Sequence, residues 1–324
     1  MTPNPLSYRF VDDLIPLVLD SNLHWWPQDL ANLCRVSLAW LSFTRKRLYR
    51  HPRLTTYHTC SLLARTLHET QYLCSLIVGI ILQPISSEYG DFTSRGTRLA
   101  SLRTLLGVHG LQSITLGGEL ANGAGRFLHM VGNPSMVREL HVDGSLTIHG
   151  VTSKASLEWD ESIILKFSSL HTLHLSNLDL DIDPGAPPAP MIHTLVLDNV
   201  DIIFGDLFSM ANKARHIHVT TENGTEYERQ LKIILDSWPV KYLKYEVRHG
   251  CCHAGSLFNQ DSKPLPLLRS LHFDGVSVDR ETLVWIREVC DRLEELVVTD
   301  NRVFLNAEDW ATFMASESSG GLKV

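Results

Sequence analysis

The segment SLHTLHL, residues 169–175, contains the pattern that decides the fold, because Leu170, Leu173 and Leu175 stand at the spacing L-x-x-L-x-L. Clear copies of this pattern follow in MIHTLVL (191–197) and LLRSLHF (267–273). Looser copies begin at Leu111, Val137, Ala214, Val240 and Leu293, and two more are expected to begin at Leu54 and Leu73. Apolar residues two positions apart point to the same side of a strand, so each copy predicts one short strand with a buried face.

The spacing between copies indicates a repeat architecture. Successive copies from Leu111 onward lie about 22 to 33 residues apart, close to the period of a leucine-rich repeat. Amphipathic stretches at 228–238 and 281–292 predict helices between strands. The sequence therefore predicts an α/β fold, with a curved leucine-rich-repeat solenoid that has parallel strands on its concave face and helices on its convex face.

A turn signal accompanies the strands. Two positions after the last apolar residue of six copies stands a residue suited to tight turns: Gly118, Gly144, Asn177, Asn199, Gly275 or Asp300. Glycine and asparagine tolerate left-handed backbone dihedrals, and Asn or Asp side chains can bond the turning backbone. We expect the chain to leave each strand through such a turn.

The amino-terminal segment predicts three short helices. Apolar residues recur at helical spacing in three blocks between residues 9 and 50. Asp13 is expected to cap the first helix, which places Pro16 in the first turn, where its missing N–H costs no hydrogen bond. Asp29 and Ser37 are expected to cap the second and third helices. Three helices this short leave apolar surface for a partner or a neighbouring domain to cover.

This segment resembles an F-box. The resemblance lies in Asp29-Leu30, Val36-Ser37 and Trp40, while Phe10-Val11 replaces the usual opening Leu-Pro and residues 22–26 lengthen the first connection. It implies docking to a Skp-type adaptor and, through it, to a cullin-RING ubiquitin ligase. The implied docking residues are Phe10, Val11, Leu14, Ile15, Val18, Leu30, Leu33, Val36 and Trp40. The alternative is that these side chains pack together or on the first repeat.

The whole chain resembles fungal-type F-box proteins with irregular leucine-rich repeats. We expect an F-box-like three-helix module at 9–51, the solenoid at 52–314 and a polar tail at 315–324. The resemblance implies a substrate receptor of a ubiquitin ligase, with an unknown client protein on the concave face. The alternative is a repeat scaffold with a degenerate F-box and no part in ubiquitin transfer.

Strand alternation predicts where the client would bind. The residue between the last two apolar positions of each copy points away from the core, and four of the eight residues in that column are histidines. The predicted client-binding residues are His141, His174, Val196, His216, His218, Tyr242, Lys244 and His272. The histidines could also make binding sensitive to pH. The alternative is that exposed strand positions carry His or Thr for their strand propensity.

Composition and charge argue against nucleic-acid and membrane partners. A net charge of -7 and a pI of about 6.1 argue against nucleic-acid binding. One basic cluster, Arg45, Lys46, Arg47 and Arg50, has helical spacing and is interpreted as a solvated helix face. No apolar run is long enough to span a bilayer, so we expect no membrane partner and a cytoplasmic or nuclear location.

Motifs for catalysis or cofactor binding are also missing from the sequence. The six cysteines form no C-x-x-C pair, and neither G-x-S-x-G nor H-E-x-x-H occurs. The alternative is a metal between His141 and His174 or at Cys251-Cys252-His253. We therefore expect a non-enzymatic protein without a cofactor or metal.

Overall fold

The computed structural model describes residues 5–21, 25–86, 95–148, 151–189, 191–210, 212–222, 224–249, 252–301, 303 and 305–315. The helices are α1 (Pro5–Ser21), α2 (Pro27–Leu33), α3 (Leu38–Arg50), α4 (Tyr57–Glu69), α5 (Arg95–Leu106), α6 (Ala124–Leu128), α7 (Glu161–Lys166), α8 (Thr225–Ser237), α9 (Arg280–Val289) and α10 (Ala307–Ala315). The first nine strands are β1 (Arg53–Leu54), β2 (Gly79–Leu82), β3 (Ser113–Leu116), β4 (Glu139–Asp143), β5 (Leu146–Ile148), β6 (Val151–Ser153), β7 (Ala155–Trp159), β8 (Thr172–Ser176) and β9 (Leu178–Ile182). The remaining strands are β10 (Thr194–Asp198), β11 (Asp201–Phe204), β12 (His216–Thr221), β13 (Tyr242–Val247), β14 (Cys252–His253), β15 (Ser270–Asp274), β16 (Val276–Ser277) and β17 (Glu295–Thr299).

The chain forms two compact units. The first comprises Met1–Ile114 and Val131–Asn133, and the second comprises Thr115–Met130 and Pro134–Val324. The three amino-terminal helices therefore share a unit with β1, β2, α4 and α5, and the expected boundary after residue 51 does not coincide with this division. Within the described residues, no helix combines the length and the apolar character needed to cross a membrane.

The first unit contains the three predicted amino-terminal helices. Their core consists of Ile15, Leu19 and Leu30, with partly buried side chains packed around it. The prediction that α1 begins at Asp13 was wrong, because the helix runs from Pro5 and contains Pro16 in its interior. Ile15 and Leu19 lie one turn apart and are both buried. Their packing opposes the cost of about 3 kcal/mol of an interior proline, which removes a hydrogen bond and clashes with the preceding turn.

The predicted cap of α3 is confirmed, and the predicted cap of α2 is wrong. Ser37 caps α3 as predicted, and its hydroxyl accepts from the Trp40 N–H at 3.3 Å. The prediction for Asp29 was wrong, because α2 begins at Pro27, where a missing N–H costs nothing. Asp29 instead lies in the first turn, and its carboxylate accepts from the Trp26 N–H at 3.3 Å.

The first two strands also correct the predicted repeats. Strand β1 is parallel to β2 with Leu54 opposite Leu82, so Leu54 occupies the last position of the pattern and not the first. The copy predicted to begin at Leu73 was wrong, because Leu73 lies in a 3-10 helix over Gln71–Leu76. Buried Ile77, Ile80 and Leu82 supply the apolar spacing instead.

The second unit contains a large parallel sheet, as the α/β prediction requires. Among its described residues, seven strands pair in the order β4-β8-β10-β12-β13-β15-β17, and every pairing is parallel and in register. The apolar positions of the pattern, such as Leu173, Leu195 and Leu271, are fully buried. Helices α8 and α9 appear between strands as predicted and bury one face through residues such as Leu231 and Ile286.

Further strands of the second unit were not predicted. Strands β7, β9 and β11 form a separate three-stranded parallel sheet, and β5 and β6 form an antiparallel hairpin. Leu157, Leu180 and Ile202 are buried on the same side of the smaller sheet. Strands β9 and β11 of the smaller sheet begin directly after the turns that end β8 and β10, so each of these turns joins two strands.

Five of the six predicted turn residues have left-handed backbone dihedrals: Gly118, Asn177, Asn199, Gly275 and Asp300. The prediction was wrong for Gly144, whose backbone dihedrals are not left-handed. Close packing explains the glycine there, because a Cβ at this position would lie 2.4 Å from the Asn177 carbonyl oxygen.

Candidate protein-binding face of the parallel sheet

The seven strands of the second unit place three rows of side chains on the side of the sheet opposite the buried leucines. We call this surface the sheet face. The first row contains Glu139, Thr172, Thr194, His216, Tyr242, Ser270 and Glu295. The middle row contains His141, His174, Val196, His218, Lys244, His272 and Val297. The third row contains Asp143, Ser176, Asp198, Thr220, Glu246, Asp274 and Thr299.

The structure brings all eight predicted client-binding residues onto this face. Six of them form consecutive positions of the middle row, and His216 and Tyr242 are neighbours in the first row. Every middle-row side chain is partly exposed. The alternation inferred from the sequence is therefore confirmed as a geometric arrangement, while client binding itself stays a prediction.

Two histidines at one end of the middle row stack on each other. The rings of His141 and His174 are parallel within 3°, with centroids 4.0 Å apart. The imidazole of His141 also forms a 3.3 Å hydrogen bond with the Ser176 hydroxyl. Burial, reinforced by the repulsion that the two rings would feel if both were protonated, lowers the pKa of His141 from 6.5 to about 4, although Asp143 and Asp198 oppose this effect.

The pKa values of two other middle-row histidines, His174 and His218, are lowered as well. Burial lowers the pKa of His174 against the influence of Asp198 and Asp143. Burial also lowers the pKa of His218, with a further contribution from the nearby Lys244. Since all three shifts favour neutral imidazole, this part of the row presents uncharged rings at neutral pH.

The third row carries most of the negative charge of the sheet face. Glu246 lies 3.3 Å from Lys244 and 3.6 Å from Arg248, and Arg248 reaches Asp198 at 3.0 Å. Burial alone would raise the pKa of Glu246, but the hydrogen bond and charge of Lys244, with Arg248, leave it lowered. Asp274 forms no ion pair within the described chain. The face is thus acidic along one side, and its centre carries the cation Lys244.

A ring cluster lies at the other end of the sheet face. Tyr242 contacts His272, with ring centroids 5.2 Å apart, and lies 6.3 Å from His216. His272 and the Ser270 hydroxyl both bond the same oxygen of Glu295, at 3.0 and 2.7 Å. The serine hydroxyl therefore points to a carboxylate and not to the histidine base that would activate it as a nucleophile.

Hydrogen bonds between turns hold the rows in register. Asn199 donates its side-chain amide to Asn177 at 3.1 Å, and Asn177 donates to Asp143 at 3.4 Å. The same asparagines donate their backbone N–H groups to the carbonyls of Thr220 and Asp198, at 2.7 and 2.8 Å. These bonds use the left-handed turns that the sequence indicated, and they fix the spacing of the side chains on the face.

The residues implied by the F-box resemblance fall into distinct environments in the first unit. Ile15 and Leu30 are buried in the core of the module, and Leu33 and Trp40 are packed partly buried against it. The exposed positions are Leu14, Val18 and Val36. The side chains of Phe10 and Val11 lie outside the described residues.

Sequence reasoning missed three exposed apolar side chains of this module. Leu17, Trp26 and Leu38 are 64%, 74% and 84% exposed. Leu17 could have been found, because it follows Leu14 by three residues and precedes Val18, and therefore shares their helix face. Trp26 and Leu38 carried no such signal, since both lie at helix starts.

The structure describes the first of the two suggested metal positions in full and the second only in part. The stacked rings of His141 and His174 are parallel, so their nitrogens do not converge on one point. Cys251 lies outside the described residues, while Cys252 is buried and burial raises the pKa of its thiol. Within the part of the chain that the structure describes, no group of three or more His, Cys, Asp or Glu side chains is placed to hold a metal ion.

Comparison with known proteins does not identify a family: no protein-family model matches the sequence, and the search of curated proteins finds no match.

Proposed function

We propose that the chain is a non-enzymatic protein-binding adaptor whose sheet face receives a client protein. The in-register alignment of seven strands carries this proposal, because it joins the three rows into one continuous surface. Six inter-strand spacings of about 4.8 Å make the face roughly 29 Å long, which suits a protein segment better than a small molecule. Its tyrosine and histidine rings offer the large, partly apolar contacts that dominate protein interfaces.

A finer form of the proposal is a substrate receptor of a Skp-cullin-F-box ubiquitin ligase. The F-box resemblance of the amino-terminal helices supports it, as do their exposed apolar side chains, which a partner would cover. In this form the Skp-type adaptor binds the face that includes Leu14, Val18 and Val36. The client would occupy the sheet face at the same time.

The second candidate is a protein-interaction scaffold that has no part in ubiquitin transfer. One observation favours it: Ile15 and Leu30, which the resemblance assigns to adaptor docking, are 2% and 5% exposed. Both side chains are used by the core of the module, so a docked adaptor would have to rely on the remaining positions.

Co-purification with a Skp-type adaptor separates the two candidates. The full chain and the adaptor are co-expressed, and the experiment is repeated with Leu14→Asp and Val18→Asp combined. The matched control is Leu165→Asp, since Leu165 is 63% exposed on α7 of the other unit. Loss of the adaptor from the double variant alone supports the receptor. A folded wild-type chain that does not retain the adaptor favours the scaffold.

The sheet face is tested through its histidines. His174→Ala combined with His218→Ala is compared with the wild type in a quantitative affinity purification from cells. The control combines His109→Ala and His249→Ala, two exposed histidines that belong to none of the three rows. Proteins lost with the face variant but retained with the control identify clients. Identical capture by the wild type and the face variant would reject the face as the recognition surface.

A further inference from the structure

A cleft of about 690 Å³ lies in the first unit, bordered by α1, α3 and the 3-10 helix over Gln71–Leu76. Phe43, Leu76 and Val78 are partly exposed and contribute apolar surface to it. Its volume is within the range of about 300–1,000 Å³ that is usual for binding pockets. The basic segment of α3, interpreted from the sequence as a solvated helix face, therefore borders a concave and partly apolar site.

The cleft carries an excess of positive charge. Lys46, Arg47 and Arg50 line it from α3, and Asp20 lines it from α1. Arg47 pairs with Asp20 at 2.6 Å. Lys46 and Arg50 are exposed and one helical turn apart, and neither forms an ion pair with a carboxylate of the described residues. Two cations thus remain available beside an apolar surface.

We propose that this cleft binds an acidic, amphipathic peptide segment of a partner protein. Carboxylates of the segment would contact Lys46 and Arg50, and its apolar side chains would cover Phe43, Leu76 and Val78. Charge complementarity selects an acidic partner, and the apolar surface selects side chains over a sugar-phosphate backbone.

This site is distinct from the face proposed for adaptor docking. Helical geometry of about 100° per residue places Pro16 and Asp20, which line the cleft, on the side of α1 opposite Leu14 and Val18. The two proposals can therefore fail separately, because each depends on different side chains of the same helix.

Fluorescence anisotropy with labelled synthetic peptides tests the proposal on the full chain. The probe is a peptide of Glu and Leu, compared with a peptide of Lys and Leu and with one of Glu and Ser. The wild type is expected to bind the Glu/Leu peptide more tightly than either of the others. Lys46→Glu combined with Arg50→Glu should weaken binding at least about tenfold, whereas Arg126→Glu combined with Lys213→Glu should change it less than about twofold.

Two further measurements separate loss of peptide binding from loss of folding and from loss of adaptor docking. Lys46→Gln combined with Arg50→Gln replaces the charge reversal if circular dichroism finds the reversed variant unfolded. The Leu14→Asp, Val18→Asp variant should retain peptide binding even if it loses the adaptor. No binding of the Glu/Leu peptide, or unchanged binding by a folded cleft variant, overturns the proposal. Tighter binding of a labelled single-stranded oligonucleotide, lost in the cleft variant, would assign the cleft to nucleic acid instead.

Discussion

The stacked pair of His141 and His174 predicts that the second unit loses stability in mild acid. The pKa of His141 is 6.5 in an unfolded chain and about 4 in the folded protein, because burial and the neighbouring His174 disfavour its charged form. A group with a lowered pKa in the folded state binds protons more readily when unfolded. Its contribution to stability is therefore complete above about pH 6.5 and is lost progressively as the pH falls to about 4.

The magnitude follows from the two pKa values. At pH 5 the unfolded histidine is almost fully protonated and the folded one is mostly neutral, which lowers the free energy of unfolding by about 2 kcal/mol relative to pH 8. His141 remains partly exposed, so water screens part of this effect and we expect about 1 kcal/mol.

Urea unfolding at pH 7.5 and pH 5.0 measures this difference. Between these two pH values the wild type should lose about 1 kcal/mol more unfolding free energy than His141→Gln, which has no imidazole to protonate. His249→Gln removes an exposed histidine of the same unit and should behave like the wild type. Equal losses for the wild type and His141→Gln would refute the assigned burial of this ring.

Three further predictions concern the fold. Leu173→Ala should lower the free energy of unfolding by about 2–5 kcal/mol, because the side chain is fully buried, while Leu165→Ala at an exposed site should change it by less than about 0.5 kcal/mol. Gly144→Ala should destabilise by about 1–3 kcal/mol, since the new Cβ would meet a backbone oxygen, whereas Gly125→Ala has open space and should be nearly neutral; thermal unfolding compares them, and equal midpoints would contradict the close packing. Ser37→Ala should remove the cap of α3 and cost about 0.5–2 kcal/mol by urea unfolding, an expectation that an unchanged midpoint would exclude.

The repeating apolar pattern determined the main sheet from the sequence alone. A strand with apolar residues two positions apart has only one face to bury, so copies such as 169–175 and 191–197 dictated both the strands and the outward direction of His174 and Val196. The turn residues Asn177 and Asn199 were equally readable, because few residues tolerate left-handed dihedrals. Ser37 was identifiable as a cap because a serine hydroxyl at a helix start can accept a backbone N–H of the first turn.

Tertiary packing decided what these local signals left open. Helix α1 continues past Pro16, although proline normally interrupts a helix, because Ile15 and Leu19 are buried against the other helices. The smaller sheet of β7, β9 and β11 and the close approach at Gly144 both depend on which turns stack on each other.

The candidate sites also combine features that the sequence determined with features that only the tertiary structure determined. The sequence by itself determined that His141 and His174 share the outward side of two strands, since alternation along a strand is a local property. Only the folded chain decided that the rings stack and that Lys46 and Arg50 border a cleft. Those features arise between segments far apart in the chain, where contact depends on packing and not on the order of residues.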